Sequence, residues 1–299
     1  MHSVFIINPK AGKGNAASFI ENSIKDENLD AEIYYTKCVM DANAYVKEFL
    51  EKHKDEKTRF IACGGDGTIN EVFSAAVGYE NASVSVYPCG SGNDFVKVFG
   101  GMSRFSNVKA LTLAPEQKLD VMKVDDRYAI NVTNFGFDTT VAMKVNEDRA
   151  KTGHGSKFSY TKGIVRALVK SMNNRCTVKT DGQVLNPDGR ILLCTVANGQ
   201  YVGGSFKCAP RAKTDDGLLE VCLCVPISRL KFVTLLGPYT NGEHIDNPKF
   251  AKVMKYTRAK KIEIEAADGF AYSLDGEIIH KNRFSIEIVP GALNFACPE

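Results

Sequence analysis

Long hydrophobic runs are missing from this sequence of 299 residues. No stretch approaches the ~18 consecutive apolar residues of a membrane-spanning helix, so the chain is not expected to cross a bilayer. The first residues, Met1 to Asn8, are typical of a β-strand and show no signal-peptide pattern. Together these two absences predict a cytoplasmic protein.

Strong charge of one sign is also absent, because the formal net charge is +3 and the isoelectric point is about 8.3. So mild a balance does not indicate a nucleic-acid partner. The five histidines show no metal-ligand spacing, so a zinc site is not expected. The nine cysteines lack the spacing of a secreted disulfide framework, and we interpret them as reduced, buried thiols.

The apolar pattern divides the chain into two predicted domains, as its length allows. In residues 1–118, strand-like runs alternate with helical i, i+3, i+4 spacing, which predicts a doubly wound α/β domain with a parallel sheet. In residues 119–299, short β-rich runs such as Tyr128–Thr133 are separated by turns, which predicts a β-sandwich or barrel-like domain, and the implied sandwich's final residues can pack back on the first domain. Helices are predicted near Ser156–Met172 and Ser228–Leu236.

Three glycine-rich turns follow predicted strands of the first domain. They read NPKAGKG from Asn8, CGGDGTIN from Cys63 and PCGSGNDF from Pro88. In a doubly wound sheet ligands bind at the carboxyl ends of the strands, where these turns are expected to meet. Backbone amides in such turns, and the helix N-termini behind them, attract phosphate. We therefore predict a nucleotide phosphate site.

The first turn alone is a weak signal. Gly12, Gly14 and Ala17 match the pattern G-x-G-x-x-A, but a dinucleotide fold also needs an acidic residue where the second strand ends. That strand ends at Thr36 and Lys37. The Walker phosphate-loop pattern is absent as well. A surface turn that merely needs glycine therefore remains an alternative for this segment.

Asp66 stands in the middle of the second turn, where a carboxylate would repel a phosphate. A metal ion between the two groups would remove this conflict, because Mg²⁺ joins carboxylates to phosphate oxygens. Ribose and its waters could also separate them. The remaining interpretation is that Asp66 caps the helix that follows.

In this order NPKAGKG, GGDGTINE and PCGSGNDF, with LDV at Leu119, DDGLLEV at Asp215 and LDGE at Leu274, resemble the bacterial diacylglycerol kinase-like lipid kinases. The resemblance covers essentially the whole chain. It implies an ATP-binding α/β domain, a β-sandwich domain and an active site in the cleft between them. The implied reaction transfers the γ-phosphate of ATP to a lipid hydroxyl, with diacylglycerol as the first expected acceptor and phosphatidic acid as its product.

The resemblance also implies which residues form the nucleotide site. The positions that match the family's motifs are Asn8, Gly12, Thr36, Gly64, Gly65, Asp66, Gly67, Thr68, Ile69, Asn70 and Ser91. Within this set Asp66, together with Asp94, is expected to orient the Mg²⁺ of the nucleotide through water. Cys89 departs from many relatives, which have a larger residue there, and this change is not expected to alter the reaction.

A second set of residues follows from the resemblance in the β-sandwich domain. A structural Mg²⁺ is expected at the Asp216 carboxylate and the carbonyls of Lys213 and Leu218, a set of hard oxygen donors. Asp275 in LDGE takes the position of the general base, with Glu277 beside it as support. Read without the family, Asp216 and Asp275 are ordinary turn residues.

Two other functions remain as alternatives. NAD kinases also carry a Gly-Gly-Asp-Gly turn, but the NPKAGKG and LDGE motifs favour a lipid kinase. A catalytically inactive nucleotide-binding regulator is the second alternative, and the presence of Asp66, Asp216 and Asp275 argues against it. The residues do not identify the acceptor lipid. They do not fix the oligomeric state either, and a homodimer is one of the options.

Basic residues gather in two segments. The first cluster contains Arg149, Lys151, Lys157, Lys162, Arg166 and Lys170, and the second contains Lys249, Lys252, Lys255, Arg258, Lys260 and Lys261. Cations near an anionic bilayer are attracted to it. One interpretation is peripheral docking at the inner face of the membrane, where the lipid substrate lies. The other is that both clusters are merely solvated surface.

Overall fold

The computed structural model describes residues 1–12, 15–152 and 157–299, so Lys13 and Gly14 of the first glycine turn lie outside the described residues. The chain forms two compact units. The first contains Met1–Val121, Thr214–Asp216 and Val289–Glu299, and the second contains Met122–Lys213 and Gly217–Ile288. Within the described ranges, no helix is both long and apolar enough to cross a membrane.

The first unit begins with alternating strands and helices, in agreement with the apolar periodicity. They are β1 (His2–Ile7), α1 (Asn15–Asp26), β2 (Ala31–Tyr35), α2 (Asp41–Lys52), β3 (Thr58–Gly64), α3 (Asp66–Ala76), β4 (Ala82–Pro88) and α4 (Val108–Leu113). Two 3₁₀ helices, Phe95–Phe99 and Met102–Phe105, lie between β4 and α4. The strands pair in parallel in the order β4–β3–β1–β2, which confirms the predicted α/β fold.

Strand β5 (Glu116–Val124) leads from the first unit into the second. The elements after it are β6 (Arg127–Ala129), β7 (Val132–Gly136), α5 (Phe137–Thr152), α6 (Lys157–Lys170), β8 (Asn174–Thr180), β9 (Gln183–Val184), β10 (Arg190–Ile191), β11 (Leu193–Ala197), β12 (Leu219–Cys224), α7 (Arg229–Thr240), β13 (Met254–Ala259), β14 (Lys261–Ala266), β15 (Ala271–Leu274), β16 (Glu277–His280) and β17 (Arg283–Ala296). The second part of β17 belongs to the first unit, where Phe295 pairs in parallel with Val84 of β4.

Antiparallel sheets build the second unit. One has the order β13–β12–β11–β7–β15–β16, and in the other β10, β8, β14 and the first part of β17 are paired in turn. Apolar side chains from both sheets, among them Phe135, Val178 and Ile262, form one buried core. This arrangement is the predicted β-sandwich, and its interior explains the short alternating β-runs of the sequence.

Two predictions for the second unit are wrong. Tyr128–Thr133 is not one strand, because it is interrupted between Ala129 and Val132, where backbone amides bond to a side chain instead of a neighbouring strand. Helix α5 is not predicted at all. Its apolar residues do not gather on one face, so the sequence shows no helical period there.

Seven of the nine cysteines are buried, as predicted, whereas Cys38 is exposed and Cys89 is half-buried. Cys222 and Cys224 are both buried in β12. Burial raises the pKa of the Cys89 thiol to about 11, and it raises the pKa of Cys63 as well. Both thiols are therefore protonated at neutral pH and are poor nucleophiles.

Candidate active site

The carboxyl ends of β1 to β4 meet at one edge of the parallel sheet. Hydrogen bonds extend the pairing beyond the strands, since Thr36 N–H donates to the Ile7 carbonyl at 2.9 Å and Cys89 N–H donates to the Gly64 carbonyl at 3.0 Å. Asn8 follows β1 directly at the same edge. The parallel order therefore brings together the predicted nucleotide residues that follow these strands.

Close packing between the turns accounts for several of their glycines. A Cβ on Gly64 would lie 2.4 Å from Thr68 Oγ1, and one on Gly90 would lie 2.4 Å from the Cα of Gly65. Gly12 has a φ of 63°, which favours glycine in addition. Larger residues would push the turns apart, so these glycines shape the phosphate edge before any ligand is considered.

Gly67 differs from these glycines, because a Cβ there would meet no protein atom within 4 Å. It lies in the first turn of α3, where backbone N–H groups lack partners inside the helix. By contrast, the Ile69 N–H already donates to the Gly65 carbonyl. The Ile69 side chain is buried, so it supports the turn by packing behind it. The space beside Gly67 is open to a ligand, which suits a phosphate against the helix N-terminus.

One side chain of the first glycine turn, that of Asn8, supports this loop through two hydrogen bonds. Asn8 Nδ2 donates to Thr68 Oγ1 at 3.2 Å, and Asn8 Oδ1 accepts the Lys10 N–H at 3.0 Å. Asn8 thus holds the beginning of α3 against the end of β1. Ser91 is exposed at the same edge, in the turn after β4.

Asp66 is the first residue of α3, and Gly65 occupies the cap position before it. The Asp66 carboxylate accepts the backbone N–H of Asp94 through Oδ1 at 2.7 Å, which connects the second and third glycine turns. A Cβ on Gly92 would lie 2.9 Å from Asp66 Oδ2 and 3.4 Å from Asp94 Oδ2, so both carboxylates face the same space. Lys97 Nζ lies 2.5 Å from Asp94 Oδ1 and offsets part of this negative charge.

Asp275 lies in the turn between β15 and β16, with a φ of 45°. Its carboxylate accepts three backbone N–H groups: Ile130 to Oδ2 at 2.8 Å, Asn131 to Oδ1 at 3.1 Å and Val132 to Oδ1 at 2.8 Å. These amides fill the interruption between β6 and β7. Asp275 therefore has a structural role that sequence reasoning missed, because its partners lie far away along the chain.

Glu277, the predicted supporting residue, accepts from Arg127 Nη1 at 2.7 Å. Both side chains are about half exposed, at 60% and 49%, so this ion pair adds little stability. Asn146 of α5 donates to the Gly276 carbonyl at 3.0 Å. The LDGE turn is thus held by its own sheet and by α5.

The predicted structural metal residues, Lys213, Asp216 and Leu218, lie in the segment between β11 and β12. A carboxylate and carbonyl oxygens are donors that Mg²⁺ accepts, with waters completing its shell. Among the described residues, no group of three or more His, Cys, Asp or Glu could hold a metal by side chains alone. Backbone carbonyls are therefore essential to any ion at this segment.

Asp120, in the LDV motif, is a further residue that sequence reasoning missed. It is 4% exposed, and its backbone N–H donates to the Thr214 carbonyl at 2.7 Å. Its carboxylate accepts the Gly291 N–H at 2.8 Å. Asp120 thereby ties the segment containing Asp216 to β5 within the first unit. The only sequence signal was its place in a family motif.

A narrow apolar pocket lies in the second unit, between helices α5, α6 and α7 and the outer face of the β7–β11–β12 sheet. Its lining includes Phe137, Val141, Ile164, Leu193, Phe232 and Leu236. The pocket has an empty volume of about 600 Å³, its open mouth included, and almost all of its lining residues are apolar. Such a lining suits an apolar chain.

Asp138, in the first turn of α5, also lines this pocket. Its Oδ2 is buried and has no hydrogen-bond partner in the described part of the chain. Burial raises the pKa of the Asp138 carboxyl to about 7. A carboxyl kept in this environment is poorly stabilised in its charged form, which costs the fold stability at neutral pH.

We expect Asp138→Asn to raise the melting temperature, and to do so more at about pH 8 than at about pH 5. The carboxyl has a pKa of about 7 when folded against 3.8 for the ordinary group. Wild-type stability therefore falls as pH rises between these values and levels off above about 7, whereas the uncharged amide escapes this loss. Calorimetry across that range measures the difference. An equal shift at both pH values would contradict the assignment.

The two parts of this chain are similar to two known domain families. Residues 2–124 match the model of the diacylglycerol kinase catalytic domain, and residues 131–297 match that of the YegS C-terminal NAD kinase beta sandwich-like domain. The chain is 30% identical to the probable lipid kinase YegS-like of Pseudomonas aeruginosa, over 80% of this chain and 76% of that protein. Its Citrobacter koseri counterpart is 27% identical over 99% and 96%.

Among solved structures, a putative diacylglycerol kinase from Bacillus anthracis str. Sterne superposes with a TM-score of 0.77 at 23% identity, covering 99% of this chain and 96% of that one. This likeness supports the fold alone. An α/β unit with glycine turns and a β-sandwich unit define a two-domain kinase. The chain belongs to the diacylglycerol kinase-like lipid kinase family, which confirms the resemblance of its motifs and implies ATP as the phosphate donor.

Proposed function

We propose that this protein transfers the γ-phosphate of ATP to the hydroxyl of diacylglycerol, giving phosphatidic acid and ADP. The observation that carries the choice of acceptor is the narrow apolar pocket of the second unit in a kinase of this family. Burying an acyl chain there is favourable because it removes apolar surface from water. The charged and polar groups of NAD suit this apolar lining poorly, which favours diacylglycerol over the NAD kinase alternative.

In the first unit, the glycine turns and the beginning of α3 are proposed to hold the phosphates of ATP. Their backbone N–H groups and the helix N-terminus supply positive partial charge without a change of position during the reaction. Mg²⁺, when bound, would offset charge on the phosphates. Asp66 and Asp94, which face one space, would hold its water ligands, and the Asp216 segment would hold the structural ion.

In the second unit, Asp275 is proposed to accept the proton of the lipid hydroxyl, with Glu277 as support. The backbone N–H bonds from Ile130, Asn131 and Val132 fix the position of this carboxylate. A fixed acceptor favours phosphoryl transfer, in which positioning supplies much of the rate. The same bonds also give Asp275 a structural role, so its two roles must be separated by experiment.

A panel of acceptors with labelled ATP tests the proposed reaction. It contains diacylglycerol, monoacylglycerol, a sphingoid base, undecaprenol and NAD. We expect diacylglycerol to give the highest kcat/KM, with little transfer to NAD. Preferred phosphorylation of NAD would overturn the proposal, and binding of ATP without transfer to any acceptor would favour a regulator instead.

Narrowing the pocket provides a further prediction. Leu236→Phe, combined with Ile164→Phe, is expected to lower kcat/KM for long-chain diacylglycerol by about 10-fold, because the added rings take the space of the chain. Activity on a short-chain diacylglycerol should change little. Val184→Phe is the matched control, since Val184 lies in the same unit but is 46% exposed, away from the pocket. Equal losses of kcat/KM on both substrates would contradict binding of the acyl chain in this pocket.

The proposed substrate lies at a bilayer surface, and the described helices do not cross one. We therefore place the enzyme in the cytoplasm, with peripheral association at the inner face of the membrane. Fractionation of cells into soluble and membrane parts, with and without a high-salt wash, tests this placement. Recovery wholly in the soluble part at low salt would argue against it.

A further inference from the structure

Four large apolar side chains are exposed on the second unit where α6 and α7 meet. Val165 and Val169 of α6 are 57% and 67% exposed, and Leu230 and Val233 of α7 are 83% and 62% exposed. They lie next to the point where Arg229 Nε donates to the Leu168 carbonyl at 2.7 Å, which joins the two helices. We call these four side chains the docking face.

The opposite sides of the same helices form the apolar pocket. Ile164 of α6 and Phe232 and Leu236 of α7 line it. Each helix thus has apolar residues on two sides, one turned to the pocket and one to solvent. A helix that only covers a core needs the first side alone, and its solvent side is ordinarily polar. The exposed side therefore needs another explanation.

The two helices that form the docking face carry charge of one sign. Neither α6 nor α7 contains an Asp or Glu, and five of their cations are Lys162, Arg166, Lys170, Arg229 and Lys231. Arg166 pairs with Glu147 at 2.9 Å, while Lys170, Arg229 and Lys231 are exposed beside the apolar side chains. Apolar residues flanked by cations are typical of helices that lie on anionic bilayers.

The second basic cluster of the sequence is arranged differently. Arg258 lies 3.1 Å from Glu220, Lys261 lies 2.8 Å from Glu287, and Lys255 donates to the Leu185 carbonyl at 2.9 Å. These cations are engaged within the protein, and the largest exposed apolar side chains lie elsewhere. The part of the first cluster on α6 is therefore the better partner for a membrane. The Arg149 and Lys157 side chains of that cluster lie outside the described residues.

We propose that the docking face, together with Lys170, Arg229 and Lys231, binds the surface of a bilayer that contains anionic lipid. The four apolar side chains enter the boundary between headgroups and acyl chains, and the cations contact lipid phosphates. This inference rests on the proposed function, because it places the helices that cover the acyl-chain pocket against the membrane that holds the acceptor. A flat protein partner would bury the same side chains without requiring anionic lipid.

Sedimentation with vesicles tests the proposal. Wild-type protein should bind phosphatidylcholine vesicles that contain phosphatidylglycerol, bind pure phosphatidylcholine less, and bind less as salt concentration rises. Val169→Glu combined with Leu230→Glu should lower the vesicle partition coefficient by at least ~10-fold. Lys170→Glu with Lys231→Glu should weaken binding to the anionic vesicles alone. Val184→Glu is the matched control, because Val184 is 46% exposed on β9 of the same unit.

Activity separates this inference from the proposed function. The Val169 and Leu230 variant should phosphorylate a water-soluble short-chain diacylglycerol at the wild-type rate and lose activity on vesicles. Absence of short-chain activity in the wild type would contradict the proposed function instead. Three outcomes would each contradict membrane binding by the docking face. They are unchanged vesicle binding in the variant, an equal loss in Val184→Glu, and no vesicle binding by the wild type.

Discussion

Asp66→Asn is expected to lower kcat by at least ~100-fold at saturating ATP and Mg²⁺, while the protein remains folded. The amide oxygen of asparagine can still accept the Asp94 N–H, which Asp66 Oδ1 accepts at 2.7 Å. The negative charge that would orient the water ligands of Mg²⁺ is lost. Asp66→Ala removes both functions, so we expect no measurable turnover from it. Steady-state transfer of labelled phosphate measures kcat, and thermal melting reports the fold.

Glu51→Gln provides the control for Asp66, because it neutralises an exposed carboxylate on α2 of the same unit. It should retain nearly the wild-type kcat. In Asp66→Asn, the Mg²⁺ concentration needed for half-maximal rate should also rise, which loss of turn packing alone would not cause. Wild-type turnover in Asp66→Asn would contradict the role of Asp66 in orienting the metal. Asp66 would then serve only to connect two glycine turns.

Asp275→Asn is expected to lower kcat by about 100-fold or more, since asparagine cannot take the proton of the lipid hydroxyl. It should also destabilise the second unit by about 1–3 kcal/mol, because its NH₂ group would replace an oxygen that accepts a backbone N–H. The kinetic and structural losses have different causes. Saturating ATP and a short-chain diacylglycerol should place the kinetic loss in kcat, whereas calorimetry measures the structural one.

Asp181 offers a matched control for the structural part of this effect. Its φ of 46° is close to the 45° of Asp275, it also precedes a glycine, and its carboxylate accepts the Lys260 and Lys261 N–H groups. Asp181→Asn should lower stability in the same direction, by less because the turn is exposed, and leave kcat unchanged. If Asp275→Asn kept nearly full kcat, its role would be structural, and Glu277 would be the first alternative base.

The edge of the parallel sheet that carries the glycine turns was predictable because its signals are local. Strand and helix periods in β1 to β4 and α1 to α3 arise from neighbouring residues, and each glycine turn directly follows its strand. Parallel pairing then brings the ends of the strands to one edge. The reason for individual glycines was less visible. Gly90 is required by contact with Gly65, which lies in another turn.

The apolar pocket and the buried Asp138 carboxyl were not predictable, because they depend on residues far apart in the sequence. Asp138 is an ordinary acidic residue in the sequence, and its burial results from apolar side chains of α6, α7 and β11 that surround it. Helix α5 itself shows no amphipathic period. The docking face is similarly hidden, since Val169 and Leu230 belong to different helices, which meet near the hydrogen bond from Arg229 to the Leu168 carbonyl.

The sequence alone predicts the α/β and β-sandwich folds and the three glycine-rich turns, because periodicity and turn chemistry act over a few residues. Only the folded chain decides what each acidic residue does. Asp66 accepts an amide 28 positions away, and Asp275 accepts amides 143 to 145 positions away. The environment of a carboxylate depends on the groups that folding packs against it. Partners so distant in the chain leave no pattern along the sequence.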